Sequence, residues 1–196
     1  MPFQAIYDAC LLYPFEVRDI LMVAAGTRLF AVRWTDTIMD EFTRNLIKDG
    51  RANKENMARL RNDMNRLYPR ANIPLKDYES LIPAMTCDPK DRHVLAAAVS
   101  KGVDVIVTRN MKDFPPESLE PYSIETQSAD EFTGHVLDLN PSLFIRHFHG
   151  WNEQKRHWAK KQGKQPHSDI EVAQHLAYAE PPMPDTSKQL IQLLRK

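Results

Sequence analysis

The sequence predicts an α/β fold in which a central, mostly parallel sheet is flanked by helices and followed by a helical C-terminal extension. Three observations carry this. Strand-like and helix-like segments alternate through residues 1–139, the pattern of parallel strands joined by helical crossovers. Beyond Asn140-Pro141-Ser142 only helical patterns follow, which sets a boundary between a first domain over 1–139 and an extension over 140–196. With 196 residues, 42% hydrophobic and 27% charged, the chain can bury a real core.

Taken in order, Phe3-Gln4-Ala5-Ile6-Tyr7 is a short apolar strand ending at Asp8. Val17 to Ala25 is a helix closed by Gly26, and Phe30 to Trp34 is a second strand. Thr35 or Asp36 then caps a helix that carries Glu41. Met57, Leu60, Met64 and Leu67 recur at helical spacing before Pro69. Residues 73–86, with two prolines and little periodicity, read as loop with a short helix at most. Asp88-Pro89 is the signature of a helix start, with Asp88 as cap and Asp91 in the first turn, running to Lys101-Gly102. Val103 to Val107 is a buried strand with Thr108-Arg109-Asn110 as its exit. Tyr122 to Thr126 is a last strand, and Ser128 and Glu131 form a capping-box pattern opening a helix to Leu139. In the extension, 143–161, 169–179 and 187–194 are helical, with Pro- and Gly-containing linkers between them.

Composition excludes several classes. No apolar run reaches the roughly 18 residues needed to span a bilayer, and the N-terminus lacks a basic region followed by an apolar stretch and cleavage site, so a cytoplasmic protein is expected. Two cysteines, Cys10 and Cys87, make no disulfide framework and read as buried small residues. The net charge of zero averages unlike parts: 17 Lys and Arg against 21 Asp and Glu in residues 1–139, but 9 against 5 in residues 140–196. Five of the seven histidines also lie in that basic extension.

The candidate chemistry lies in the acids at element boundaries. Asp8 follows the first strand, Glu41 lies early in a helix, Asp88 and Asp91 open another, and Asp113 follows the 103–107 strand. Singly, each has an ordinary explanation as a cap, a macrodipole partner or a turn residue. Together, at one sheet edge, they would repel one another unless a divalent cation sat among them, and oxygen-only ligation selects Mg²⁺ or Mn²⁺ over zinc. Such an ion supports hydrolysis of a phosphodiester by an activated water without a covalent intermediate.

Tyr7-Asp8-Ala9-Cys10-Leu11, the Asp40-Glu41-Phe42 helix, Asp88-Pro89-Lys90-Asp91-Arg92-His93-Val94-Leu95-Ala96-Ala97-Ala98, and Val105 through Pro115 resemble the successive motifs of PIN-domain ribonucleases, particularly VapC-type toxins of type II toxin–antitoxin pairs. The resemblance covers about residues 1–135. It implies a PIN-like α/β sandwich, dependence on Mg²⁺ or Mn²⁺, RNA as substrate, a cognate antitoxin protein that covers the site, and a homodimer. It also implies catalytic roles for Asp8, Glu41, Asp91 and Asp113, with the metal held by Asp8, Asp91 and Asp113. Many relatives carry aspartate directly after the Thr-Arg pair, where this chain has Asn110, so either Asn110 or Asp113 completes the site. Thr108 adds a hydroxyl, and Asp88 an additional carboxylate.

Phosphate must be drawn to an acidic site by cations at its rim, and Arg44, Arg92, Arg109 and Lys112 are the candidates for RNA binding, with Arg59, Arg61 and Arg66 farther off. In the extension, Phe144, Phe148, Trp151 and Trp158 alternate with basic residues. Helical packing is the favoured explanation of that spacing, with the basic face left for RNA. A noncatalytic RNA-binding or scaffold protein with a degenerate site is the competing reading.

Overall fold

The computed structural model describes residues 3–195 and divides the chain into two compact units, residues 3–13 with 30–128 and residues 14–29 with 129–195. The first unit is built on a five-stranded, wholly parallel sheet: β1 (Gln4–Tyr7), β2 (Ala31–Thr35), β3 (Asn72–Ile73), β4 (Val105–Val107) and β5 (Glu125–Gln127), in the spatial order β3-β2-β1-β4-β5. The predicted α/β class with a parallel sheet and a helical C-terminal region is therefore observed. Ala5 pairs with Val32 on one side and with Val105 on the other, so β1 is central, and all four of its residues are buried. A central strand has no wet face, which is why Phe3 to Tyr7 reads as a continuous run rather than an alternation.

Helices of this unit are α1 (Ala9–Leu12), α3 (Asp36–Lys48), α4 (Lys54–Leu67), α5 (Arg92–Lys101) and α6 (Pro116–Leu119). On α3, Ile38, Met39, Phe42 and Leu46 form the buried stripe, which packs on β2 and α1. The Thr35 hydroxyl accepts the Ile38 N–H at 3.0 Å, so Thr35 and not Asp36 is the cap. Helix α5 buries Val94 through Ala98 against β4 and ends at Gly102, whose φ of 59° is the left-handed conformation that closes a helix at least cost.

Two expectations need correction here. Residues 73–86 are not simply loop: Asn72–Ile73 form a fifth strand, paired Trp34 to Asn72 and Thr35 to Ile73, and 3₁₀ turns follow at Leu75–Asp77 and Glu79–Ala84. Two residues ahead of a proline leave no periodicity to read. Second, α5 starts at Arg92, not at Asp88-Pro89. The Asp88 carboxylate accepts the Lys90 N–H at 2.9 Å, and the Asp91 N–H donates to the Asp88 carbonyl at 2.9 Å, so residues 88–91 make a tight turn with Asp91 as the position before the helix.

The second unit is helical: α2 (Phe15–Gly26), α7 (Ala129–Leu139), α8 (Pro141–Lys161), α9 (Asp169–Leu176) and α10 (Pro184–Leu194). Asn140 caps α8 through the Leu143 N–H at 3.0 Å, and Ser168 and Glu171 close a capping box at the start of α9. Helix α2 packs on α7 and α8, and α10 packs on α7, α8 and α9. Residues 14–29 and 129–139, on the near side of the expected 139–140 boundary, are thus grouped with the extension. Their apolar stripes (Val17, Ile20, Leu21 and Ala24; Phe132, Val136 and Leu137) meet Phe144 and Phe148 of α8 in one core, a pairing that periodicity alone does not specify. Among the described residues no helix is long and apolar enough to cross a membrane.

Candidate active site

In parallel sheets, ligands sit beyond the carboxyl ends of the strands where the strand order reverses. Here the chain steps from β1 to β2 and β3 on one side and then returns to β4 on the other, so the reversal lies between β1 and β4. Asp8 occupies that place. Its N–H continues the ladder to the Val107 carbonyl at 3.1 Å, and it is only 4% exposed. The Thr108 hydroxyl donates to Asp8 Oδ2 at 2.6 Å and accepts the Asn110 N–H at 3.0 Å, so the β4 exit loop is tied to the carboxylate. Cys10 Sγ donates to the same oxygen at 3.1 Å. Burial, then the charge of Asp8, pushes the Cys10 thiol up to about 12, so it stays protonated as a donor.

The five predicted acids are brought into one electrostatic cluster. Burial first, and then the charges of Asp8, Asp113, Asp88 and Glu41 in that order, raise the Asp91 carboxyl from 3.8 to about 7. Glu41 is raised by burial and by Asp8, with Arg44 opposing. Asp113 ends a 3₁₀ turn (Met111–Asp113), and its carbonyl accepts the Asp88 N–H at 3.0 Å, which links the β4 exit to the turn before α5. Because Asp88 spends its carboxylate on that turn while Asp91 makes no capping bond, Asp91 is the acid of this pair that the backbone leaves uncommitted.

Two contributors escape sequence reasoning. Cys10, read as packing, contacts the Asp8 carboxylate directly, and its place two residues after the strand-end acid is the signal that could have shown it. His93 Nε2 lies 3.9 Å from Glu41 Oε2, beyond hydrogen-bond reach, and its buried Nδ1 has no partner. Burial depresses its proton affinity against the pull of Asp8, so the imidazole is neutral near pH 7 and this contact is not an ion pair there.

The expected cations divide. Arg44 acts on Glu41, and Arg92 is half-buried with its Nε unpartnered. Arg109 is exposed on the β4 exit, its N–H donating to Cys10 Sγ at 3.4 Å. Lys112 lines a depression with Phe114, Leu119 and Ile124. Arg59, Arg61 and Arg66 are engaged elsewhere, with Glu55, with Asp36 and Asp40, and with Asp63.

The donor set suits a hard divalent cation in kind and charge: carboxylate oxygens only, with the Asp91 carboxyl raised to about 7 by burial and then by the charges of the other acids. Among the described residues no three His, Cys, Asp or Glu side chains stand in ligating geometry around one point, so the fit lies in chemistry and charge.

A model of the PIN domain matches residues 4–112. A 62-residue stretch is 52% identical to a protein of Mycobacterium tuberculosis (strain ATCC 25618 / H37Rv) named "Putative ribonuclease VapC50". That stretch covers 32% of this chain and 37% of the relative, so the match spans little more than a third of that protein's length. No solved structure matches the chain.

Proposed function

Because the chain belongs to the PIN-domain family, we propose that it is a Mg²⁺- or Mn²⁺-dependent endoribonuclease, acting in the cytoplasm as the toxin of a toxin–antitoxin pair. The observation that carries the reading is the Asp91 carboxyl, raised to about 7 first by burial and then by the charges of four neighbouring acids at the carboxyl end of a parallel sheet. Structural acids rarely accumulate so, because each added charge costs stability, whereas a cation among them reverses the sign of that cost. Similarity to the relative named above supports RNA as the substrate; an antitoxin as protein partner and a homodimer fit the resemblance to VapC-type toxins.

Asp8, Asp91 and Asp113 would hold the cation, which when bound supplies positive charge for the phosphorane-like transition state and acidifies a water. Thr108 and Cys10 hold Asp8 Oδ2 in place, so the carboxylate does not have to be ordered at each turnover. Glu41, with raised proton affinity, is suited to orient the attacking water and accept its proton. Asn110 could offer the cation its amide oxygen or hold a water but could not serve as a base, so Asp113 is the charged member of that loop. Asp88 adds negative charge from the turn it closes. Arg44, Arg92, Arg109 and Lys112 would meet RNA phosphates around the acids.

The test is cleavage of total tRNA and rRNA by protein purified free of any antitoxin, with Mn²⁺ or with chelator, beside Asp8→Asn and Asp91→Asn. Discrete fragments from wild type with Mn²⁺ alone are expected. Full activity in Asp8→Asn refutes the assignment. Absence of cleavage with no Mn²⁺-dependent gain in stability favours the noncatalytic RNA-binding reading.

A further inference from the structure

The second unit contains a cavity of about 550 Å³ walled by α8, the 162–168 segment, α9 and the turn after it. Phe15 and Glu16 of α2 complete the wall, which is chiefly apolar and carries Glu16 as its one acid against Lys155, Arg156 and Lys164, and its size is within the range of small-molecule sites. Phe144 and Phe148 are fully buried, so the apolar face of α8 is satisfied by them. Trp158 and Tyr178 are not: both line the cavity, yet Trp158 is 57% exposed and Tyr178 88% exposed. Two large aromatic rings left in water at one concave site are a cost to the isolated protein and an asset to a stacking ligand.

Charge defines the ligand further. Residues 154–168 contain Lys155, Arg156, Lys160, Lys161 and Lys164 and no Asp or Glu. Lys155 is bound to Asp19 at 2.9 Å, and Arg156 approaches Glu153 and Asp169 at 3.8 and 4.0 Å. Among the described residues no carboxylate lies within ion-pair distance of Lys160, Lys161 or Lys164. Lys164 Nζ lies 5.3 Å from the Trp158 ring centroid, so a cation stands beside the exposed ring. Aromatic faces beside a lysine, in a pocket roomy enough to admit a base and part of its nucleotide, are the features that hold unpaired nucleotides. An acidic peptide would use the lysines but not the rings.

We propose that this pocket binds an unstacked base of single-stranded RNA, with Lys160, Lys161 and Lys164 on the adjoining phosphates. The proposal rests on the nuclease reading for the choice of RNA and deepens it by naming a place where substrate is held.

The test is fluorescence anisotropy of a labelled single-stranded RNA of about ten nucleotides with the full-length protein in chelator, where metal-dependent cleavage cannot occur. The double variant Trp158→Ala, Tyr178→Ala is expected to bind about tenfold or more weakly, whereas Trp158→Phe, Tyr178→Phe keeps most of the affinity because the rings remain. Lys160→Glu, Lys164→Glu is expected to lower both the affinity and the steepness of its salt dependence. All of these positions are exposed, so unchanged melting curves serve as the folding control. Equal affinity in the wild type and the double alanine variant overturns the proposal. So does an oligonucleotide of abasic sites that binds as well as the intact RNA, or polyglutamate that competes equally, since either describes a charged surface without a base pocket. Asp8→Asn keeps the two readings apart: it is expected to lose cleavage and retain this binding.

Discussion

Replacing Asp91 by Asn removes the charge that its surroundings tolerate least. Its carboxyl titrates near 7 in the folded protein against 3.8 for the free group, a difference of about three units. For a fully buried group this would correspond to about 4 kcal/mol of destabilisation once ionised. Asp91 is only half-buried, so solvent screening reduces the figure to about 1–2 kcal/mol. The sign follows from proton uptake: between pH 4 and 7 the folded state holds the proton more tightly than the unfolded state, so wild-type stability falls across that window and is flat above it. Asn does not ionise, and Asp91 makes no capping hydrogen bond to lose. In chelator at pH 8, Asp91→Asn should therefore melt about 3–6 °C above wild type, while near pH 4 the two should coincide. Added Mn²⁺ should reverse the order, raising the wild-type melting point and leaving the variant nearly unmoved. Differential scanning fluorimetry across pH, with and without metal, reads all of this. A variant no more stable than wild type at pH 8 in chelator would refute the claim that the acids are in mutual repulsion.

Apparent Mn²⁺ affinity should fall about tenfold per pH unit below pH 7, because a proton on Asp91 competes with the ion; isothermal titration that gives a constant affinity from pH 6 to 8 would contradict this. Thr108→Val should cost about 1.5–3 kcal/mol in urea denaturation, since the hydroxyl both donates to the buried Asp8 carboxylate and accepts the Asn110 N–H, and Thr108→Ser should recover most of the loss. In the second unit, Ser168→Ala should cost about 1 kcal/mol by opening the capping box of α9, read as a lower melting temperature.

What lies in short stretches of chain was legible without coordinates. The β1 run, the helix start at Thr35 or Asp36, the closure of α5 at Gly102 and the helices of the extension all follow from neighbours within a few residues, where side-chain period and capping chemistry act directly. The acids could be picked out for the same reason, each standing at the end of an element. Tertiary structure decided what depends on partners distant in sequence. Strand β3 is two residues long and exists through its pairing with β2. Helices α2 and α7 join the extension because their apolar stripes meet α8 there, although any apolar surface of matching shape would satisfy the same sequence pattern. The start of α5 was decided by a turn: local chemistry favours Asp88 as helix cap, but its N–H is drawn to the Asp113 carbonyl and its carboxylate to the Lys90 N–H, which moves the helix start to Arg92. Cys10 and His93 are informative only once Asp8 and Glu41 stand beside them. Sequence determines which groups are offered at element ends, because that chemistry is local; the raised proton affinity of Asp91 arises only when four segments converge, because both its burial and the Coulomb repulsion from the other acids depend on distance in space.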